Sequence, residues 1–262
     1  MTTSEGRVLI VAGSDSGGGA GIQADLRTVS ALGGYGMTAV TALTAQNTLG
    51  VFGIHPVPPD FVVRQMRVVL DDIGADAIKI GMLGSAEIVV AVAGVLDDFP
   101  TIPVVLDPVM ISTSGSALLD EAGVGALKTR LVSKALLLTP NLKEAGALTG
   151  IAVGDPRSME QAAERLLGLG VRNVLIKGGH LEGDMLIDLL VGQIGRAEFR
   201  HSRIETPHTH GTGCTLASAI AVGLARGLAV EEAAGRAHDY VQRAIAEAPG
   251  FGHGHGPLGP GL

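Results

Sequence analysis

The sequence predicts an α/β protein in three layers, with a mostly parallel central sheet and helices on both of its faces. Aliphatic runs of strand length alternate with helix-like segments along almost all of the 262 residues. Hydrophobic residues make up 46% of the chain and aromatic residues only 3%, as expected for strands buried on both faces. No repeat, linker or shift in composition divides the chain, so we expect residues 1–262 to form a single domain.

The predicted elements follow one another in a regular order. Strands are expected at Val8–Ala12, Ala39–Thr44, Ala77–Ile80, Val104–Leu106, Ala135–Leu138, Val174–Ile176 and Met185–Val191. Helices are expected at 20–32, 60–71, 85–97, 117–132, 142–149, 158–169, 215–226 and 230–247. Ser158 and Gln161 match a capping box, which predicts that a helix begins at Ser158. The tail Phe251–Leu262 is rich in Gly, His and Pro and has no hydrophobic period, so we expect it to be flexible.

Charge and hydropathy exclude several classes of partner. The net charge is −7 without a basic stripe, which argues against nucleic acid as a ligand. The apolar run Cys214–Ala225 has twelve residues, whereas a membrane-spanning helix needs about 20. Met1–Arg7 carries no secretion-signal pattern, and a single cysteine cannot form an internal disulfide. We therefore expect a cytoplasmic protein that binds neither nucleic acid nor a membrane.

The segment His210–Ala221 carries the most informative motif of the chain. Glycines and small hydroxyl residues lead directly into an apolar helical run. Unpaired N–H groups at such a helix start, together with the helix dipole, form an anion hole suited to phosphate. The only cysteine, Cys214, lies there, and a thiol at a helix N-terminus tends toward a lowered pKa and could act as a base. The alternative is a small buried residue that opens a packed helix.

A glycine-rich loop, Gly13–Gly21, follows the first predicted strand and lies where open parallel sheets bind ligands. Within it, Gly19–Ala24 formally matches a dinucleotide-binding fingerprint. That motif needs an acidic residue at the end of the second strand, and residues 38–59 contain no Asp or Glu. A Walker P-loop is also absent from the sequence. The sequence therefore argues against both a dinucleotide-binding site and a P-loop here.

Polar residues end several of the other aliphatic strands. Gln46 and Asn47 form an amide pair, which either neighbouring backbone or a heteroaromatic ligand would satisfy. Asp107 stands where a carboxylate serves magnesium or a proton, or forms a turn. Glu144 follows Asn141 by three residues, and an N-cap explains that pair without any function. Lys177 could hold a polyphosphate or remain solvated.

Taken together, these segments match a known family. The chain resembles hydroxymethylpyrimidine/phosphomethylpyrimidine kinase, the thiamine-pathway member of the ribokinase-like superfamily, over essentially its full length. The matching motifs are Ala12–Asp25 (AGSDSGGGAGIQAD), Thr41–Leu49 (TALTAQNTL), Lys79–Met82 (KIGM), Asp107–Met110 (DPVM), Thr139–Glu144 (TPNLKE), Lys177–Leu181 (KGGHL), Thr209–Leu216 (THGTGCTL) and Gly252–Leu258 (GHGHGPL). The resemblance implies a ribokinase-like fold, a homodimer, and transfer of the ATP γ-phosphoryl group first to the pyrimidine hydroxymethyl group and then to the resulting monophosphate.

The resemblance also implies roles for individual residues. Gln46 would read the aminopyrimidine edge, Asp25 and the Val109 backbone would frame the ring, Met82 would pack near it, and Cys214 would be the base. For ATP and Mg²⁺ the implied residues are Lys177 at the phosphates, Gly211, Thr212 and Gly213 in the anion hole, and Asp107 and Glu144 near the metal.

Two departures from the family's pattern bear on specificity. Some relatives that accept pyridoxal carry a second cysteine shortly after the DPVM motif, where this chain has Ser112. His208 stands where the family often has asparagine. A pyridoxal or pyridoxine kinase on the same scaffold is the main alternative. A non-catalytic pyrimidine-binding protein is a second one, but the proposed base and the anion-hole glycines are both present.

Overall fold

The computed structural model describes residues 5–112, 115–179 and 185–261. Within these ranges the strands, numbered β1 to β9, are Arg7–Asp15, Tyr35–Asn47, Gly50–Pro56, Ala77–Ile80, Val104–Leu106, Leu137–Leu138, Asn173–Ile176, Met185–Gly192 and Gly195–Ser202. The α-helices of the same ranges, α1 to α8, are Gly21–Ala31, Pro59–Asp72, Ala86–Leu96, Glu121–Ala126, Leu142–Thr149, Pro156–Leu167, Thr212–Ala225 and Val230–Ala246.

All of these strands belong to one sheet, in the order β3-β2-β1-β4-β5-β6-β7-β8-β9. The six central strands of this order, which are β2, β1, β4, β5, β6 and β7, run parallel to one another. Strand–helix–strand units connect them, as parallel pairing requires. β3 at one end, and β8 and β9 at the other, are antiparallel additions. The predicted mostly parallel sheet is therefore confirmed.

Side chains of the central strands alternate between two hydrophobic cores. On β1, Leu9 and Val11 point into a core built with α2, α3 and α6, whereas Val8 and Ile10 point into one built with α7 and α8. A strand that feeds both cores must be aliphatic throughout, and this explains the continuous runs in the sequence. The three-layer prediction is confirmed. In the described ranges, no helix has the length and apolar character needed to cross a membrane.

β3 and β9 were not predicted from the sequence. Phe52 and Ile54 of β3 are exposed, and β9 carries charged residues on an outer strand, so neither shows the buried aliphatic pattern of the centre. The expected helix start at Ser158 is also wrong. Asp155 is the N-cap of α6, and Ser158 is its third residue, whose hydroxyl and N–H complete the capping box.

The predicted helix 117–132 is broken into shorter pieces. The Asp120 side chain accepts a hydrogen bond from the Gly123 N–H at 2.8 Å and starts α4 only at Glu121. α4 contains two glycines, which lower helix stability, and it passes into a π-helical turn at Leu127–Leu131 and a 3₁₀ turn. The strand expected from Ala135 starts two residues later, at Leu137.

The C-terminal segment contradicts the expectation of a flexible tail over residues 251–261; Leu262 lies outside the described residues. Its backbone is bound by the rest of the chain, for example through the His255 N–H and the Thr48 carbonyl at 2.9 Å. The glycines of this segment allow its backbone to approach other parts of the chain closely. A Cβ at Gly254 would collide with the Thr48 carbonyl oxygen, and one at Gly256 would collide with the His208 ring. The segment ends against α8, where Tyr240 donates to Pro260.

Candidate active site

A cavity of about 630 Å³ lies at the carboxyl ends of the parallel strands and continues over the start of α7. This is the position expected for a ligand site in an open parallel sheet. All predicted site residues except Asp25 line the cavity: Gln46, Met82, Asp107, Val109, Glu144, Lys177, Gly211, Thr212, Gly213 and Cys214. The fold therefore brings together residues from distant parts of the sequence. His180 and Leu181 of the KGGHL motif lie outside the described residues.

The start of α7 has the backbone geometry of an anion hole. Its N-cap, Gly211, has φ of 87°, and no side chain caps the first turn. A Cβ at Gly211 would collide with the carbonyl oxygen of Gly19, so the close approach of the two loops requires glycine. Gly211, Thr212 and Gly213 line the cavity at the positive end of the α7 dipole, and the Thr212 N–H also donates to the Thr209 carbonyl at 3.3 Å. This arrangement suits a phosphoryl group.

A cation and a carboxylate lie directly beside the anion hole. Lys177 Nζ is 2.7 Å from Asp107 Oδ1, which also accepts from Thr139 at 3.2 Å. A Cβ at Gly213 would lie 3.1 Å from Lys177 Nζ and 3.5 Å from Asp107 Oδ2. Burial opposes the charge of Lys177, but Asp107 and Glu144 outweigh it and raise the pKa of the lysine. Lys177 is therefore a permanent cation at the phosphate end of the cavity.

Glu144 is held by the capping box that the sequence indicated. Its Oε2 accepts from the Asn141 N–H at 2.8 Å, and Asn141 accepts from the Glu144 N–H at 2.9 Å. Burial raises the pKa of Glu144 to about 7, and the nearby Lys177 opposes this shift. Glu144 can both cap α5 and take part in a site, because the capping carboxylate also lines the cavity.

The carboxylates of Asp107 and Glu144 fit a Mg²⁺ site in which phosphate oxygens supply further ligands. Among the described residues, no group of three or more His, Cys, Asp or Glu side chains is arranged as a metal site. Mg²⁺ commonly takes one or two carboxylates and completes its shell with substrate phosphates and water. Asp107 and Glu144 beside the anion hole meet that requirement. Hydrogen bonds to the Asp107 carboxylate from described residues go to Oδ1, and Oδ2 lies toward Gly213.

The expected low pKa of Cys214 is wrong. Burial raises the pKa of its thiol to about 11. The positive charge of Lys79 and an N–H hydrogen bond from Gly21 oppose the shift, while the carboxylates of Asp25 and Asp107 add to it. The Cys214 side chain is half-buried and lines the cavity. At neutral pH the cysteine is a thiol in the unliganded protein.

Asp25 belongs to a buried ion pair behind the cavity. Its two carboxylate oxygens lie 2.8 and 2.9 Å from Lys79 Nζ, and Ser218 donates to Oδ1 at 2.7 Å. Both charged side chains are 0% exposed. Sequence reasoning assigned no role to Lys79 or Ser218, although a lysine inside the aliphatic strand Ala77–Ile80 was the available signal. A contact between Asp25 and the substrate stays a prediction.

The residues assigned to the pyrimidine line the same cavity. Met82 is 8% exposed, and its sulfur packs over Gly13, where a Cβ would lie 3.0 Å away. Val109 lines the cavity, and its N–H is already bound to the Asp107 carbonyl at 2.8 Å. Gln46 is the penultimate residue of β2 and also lines the cavity.

Sequence reasoning missed two cavity residues beside Gln46, namely Asp15 and His210. The Asp15 carboxylate accepts backbone N–H groups of the glycine-rich loop, including that of Ala20 at 2.8 Å, and also binds the His210 ring at 2.9 Å. The ring packs so closely that a Cβ at Gly19 would collide with it. The signal was an Asp among glycines and a His before the anion hole, but only their shared fold makes them partners.

Comparison with known proteins identifies the family. Residues 15–259 match the family model of phosphomethylpyrimidine kinase. The chain belongs to this family. It is 53% identical over 253 residues to the thiamine biosynthesis bifunctional protein ThiED of Geobacter sulfurreducens, with 97% of the chain and 52% of that protein covered. The chain therefore spans about half the length of that relative.

Two further relatives cover the chain end to end. The hydroxymethylpyrimidine/phosphomethylpyrimidine kinase of Haemophilus influenzae is 47% identical, with 96% of the chain and 95% of that protein covered. The crystal structure of an ADP complex of Bacillus subtilis pyridoxal kinase superposes with a TM-score of 0.90 at 34% identity, covering 98% of this chain and 97% of that one. The ribokinase-like architecture is thus shared with kinases of two related substrates.

Proposed function

We propose that the protein transfers the ATP γ-phosphoryl group to 4-amino-5-hydroxymethyl-2-methylpyrimidine and then to its monophosphate, in thiamine biosynthesis. Family membership makes it a phosphotransferase. The observation that carries the proposal is one cavity lined both by an amide, Gln46, and by an anion hole beside Lys177 and Asp107. Cys214 lines the same cavity.

The mechanism follows from what this chain's residues hold in place. Lys177 and the N–H groups of Gly211, Thr212 and Gly213 would bind the phosphates and stabilise charge on the transferred group. Asp107 and Glu144 would hold Mg²⁺, which neutralises phosphate charge when bound. Because phosphoryl transfer has a loose transition state, the attacking hydroxyl needs to lose its proton only late. Cys214 could accept that proton only as a thiolate, the minor form for a pKa of about 11, and the positive charge of Lys79 favours that form against desolvation.

Pyridoxal phosphorylation is the second candidate activity, and a specific observation supports it. The Bacillus subtilis pyridoxal kinase shares the architecture of this chain across almost its whole length. Ser112 in place of a second cysteine argues against efficient use of pyridoxal. We therefore propose the pyrimidine alcohol as the preferred substrate.

A coupled ATP-consumption assay with the pyrimidine alcohol, its monophosphate and pyridoxal side by side tests this function. We expect the highest kcat/KM for the pyrimidine alcohol and measurable turnover of its monophosphate. Two variants test which cavity residues bind ATP and which bind the pyrimidine. Lys177→Ala should raise the KM for ATP and lower kcat, and Gln46→Ala should raise the KM for the pyrimidine alone. Turnover of pyridoxal above that of the pyrimidine would contradict the assignment, as would an unchanged KM for ATP in Lys177→Ala.

We also propose that the protein is a cytoplasmic homodimer that binds neither nucleic acid nor membrane, as the family resemblance and the charge imply. The support for a dimer is the exposed apolar side chains of the β2–β3 hairpin and its turn, where Leu43, Leu49, Phe52 and Ile54 are 44 to 71% exposed. A second copy would remove this area from water. Light scattering should give a dimer, and Phe52→Lys should give a monomer. Val90→Lys, at an exposed apolar residue of α3, is the matched control and should leave the dimer intact.

A further inference from the structure

The His210 ring lies between the carboxylate of Asp15 and the side-chain amide of Gln46. His210 Nε2 is 2.9 Å from Asp15 Oδ2 and 3.0 Å from the amide nitrogen of Gln46. Three backbone N–H groups of the glycine-rich loop also donate to the Asp15 carboxylate, at 2.8 to 3.0 Å. Asp15 and His210 are 3% and 8% exposed, so these contacts lie in the wall of the cavity.

The proton of His210 can be assigned from its partners. Burial opposes ionisation of Asp15, but hydrogen bonds from His210, Ala20 and Gly17 outweigh it and lower the pKa of the carboxyl. An ionised carboxylate only accepts, so His210 Nε2 must carry a hydrogen and donate it. The same nitrogen then has no lone pair for the Gln46 amide N–H. When the terminal amide is turned by about 180°, its oxygen faces the ring and can share the single Nε2 hydrogen with Asp15 in a three-centre bond, whereas an amide N–H would face that hydrogen.

The other end of the Gln46 amide leads to the same orientation. Thr44 Oγ1 is 2.9 Å from the Ser14 carbonyl oxygen and 3.3 Å from the second polar atom of the amide. A hydroxyl has one hydrogen, and the Ser14 carbonyl, which can only accept, takes it. Thr44 therefore presents a lone pair to Gln46. An amide NH₂ group there donates to that lone pair, whereas an amide oxygen at 3.3 Å would compete with the closer Ser14 carbonyl for the single hydrogen.

We propose that His210, held by Asp15, is a positioning residue that sets the Gln46 amide with its oxygen toward His210 and its NH₂ group toward Thr44. The proposal rests on the proposed function only in taking an aminopyrimidine as the ligand of Gln46. The amide then presents one N–H donor and one oxygen lone pair to the cavity, in a defined order. An aminopyrimidine edge offers the complementary ring-nitrogen acceptor and amino donor.

The order of donor and acceptor has a consequence for the reaction. It determines which way round the ring lies, and therefore where its hydroxymethyl group points relative to Cys214 and the anion hole. A site built to pair a polar edge also rejects a ring that lacks it, since its own groups would be left unpaired. The network therefore contributes to the preference for an aminopyrimidine over a pyridine without an amino group.

A double-mutant cycle measured by calorimetry tests the coupling between the two residues. His210→Phe and Gln46→Ala should each weaken binding of the pyrimidine alcohol by roughly 5- to 100-fold, the loss expected for one unpaired hydrogen-bonding group. The double variant should bind no more weakly than Gln46→Ala alone, because His210 acts through Gln46. ATP affinity should stay within about twofold in each single variant, as one polar contact on the pyrimidine side predicts. Losses that simply add would overturn the proposal.

Two further measurements keep the proposal testable if His210→Phe folds poorly. A long-range ¹H–¹⁵N spectrum of the histidine rings should show His210 Nε2 carrying hydrogen in the wild-type protein, and an unprotonated Nε2 would overturn the proposal. Thr44→Val, close to isosteric, should weaken pyrimidine binding in the same direction, and unchanged binding would count against the amide orientation. His253→Phe, at an exposed tail histidine, is the control. If wild-type protein binds no pyrimidine, the proposed function fails, and the ring spectrum still decides the proton on His210.

Discussion

At the residue scale, the decisive property is how burial changes the chemistry of single groups. Cys214 begins a helix, where the dipole favours a thiolate, yet desolvation raises the pKa of its thiol to about 11. Lys177 remains charged because two carboxylates outweigh the same effect. Residue type and local position were therefore sufficient to find these groups. Their protonation depends on neighbours that are distant in sequence.

The protonation of Cys214 gives a direct prediction. Below its pKa of about 11 the group is a neutral thiol, so the thiolate fraction should rise about tenfold with each pH unit between 7 and 10. The rate of iodoacetamide modification, followed by mass spectrometry, should rise in parallel. The chain has a single cysteine, so Cys214→Ser provides an unlabelled control. A rate that levels off below pH 8 would show a lowered pKa and contradict this result.

At the element scale, glycine-rich segments of this protein serve as contact surfaces. The C-terminal segment 251–261 links the end of β2 to the loop before α7, since the His210 N–H donates to the Gly256 carbonyl at 3.2 Å. Its composition predicts flexibility, and that interpretation is wrong because the glycines face backbone atoms. In the same way, β3 and β9 exist through pairing with a neighbour rather than through their own hydrophobic pattern.

Gly254→Ala tests whether the tail supports the cavity. The added Cβ would collide with the Thr48 carbonyl, so we expect the segment to detach and the KM for the pyrimidine to rise more than the KM for ATP. Limited proteolysis at the C-terminus should become faster. Gly94→Ala is the matched control, because a Cβ added at Gly94 would meet no atom of another part of the chain within 4 Å. Alanine in the interior of α3 should raise the free energy of unfolding by about 0.5–1 kcal/mol. Equal behaviour of the two variants would argue against the tail's supporting role.

At the scale of the whole molecule, one sheet carries all the strands of the described residues and separates two aliphatic cores. The Asp25–Lys79 pair lies within this frame, fully buried between α1, β4 and α7. A buried ion pair stabilises a fold little more than a pair of well-packed apolar residues would. Removing only one partner, however, leaves the other charge buried without compensation and strongly destabilises the protein. It therefore links the stability of the fold to the floor of the active site.

Lys79→Met should destabilise the protein by about 3–5 kcal/mol, because the Asp25 carboxylate would be buried without its cation. Urea denaturation measures the change. Arg67→Ala removes an exposed ion pair with Asp98 at 2.6 Å and serves as the control, with an expected loss below about 1 kcal/mol. The double variant Lys79→Met with Asp25→Leu should recover part of the stability. If the Lys79→Met protein were no less stable than the Arg67→Ala protein, Asp25 would not need the charge of Lys79 for the stability of the fold.

The sequence alone determined the layers, the order of most strands and helices, and the residues at the strand ends. Aliphatic periodicity and glycine placement are local properties, so they can be read without coordinates. The predicted site residues that line the cavity were found in this way, through motifs that recur in the family. The helix start at Ser158 and the continuous helix 117–132 failed, because capping and glycine content decided those boundaries.

Only the tertiary structure decided which polar groups meet and in which protonation state. Asp15 and His210 are 195 positions apart, and Asp25 and Ser218 are 193 apart, so no sequence pattern pairs them. Desolvation depends on everything packed around a group, and this is why the pKa of Cys214 moved opposite to the local expectation. Sequence determines what each segment can become, whereas hydrogen bonds and charges between distant segments exist only once the fold brings them together.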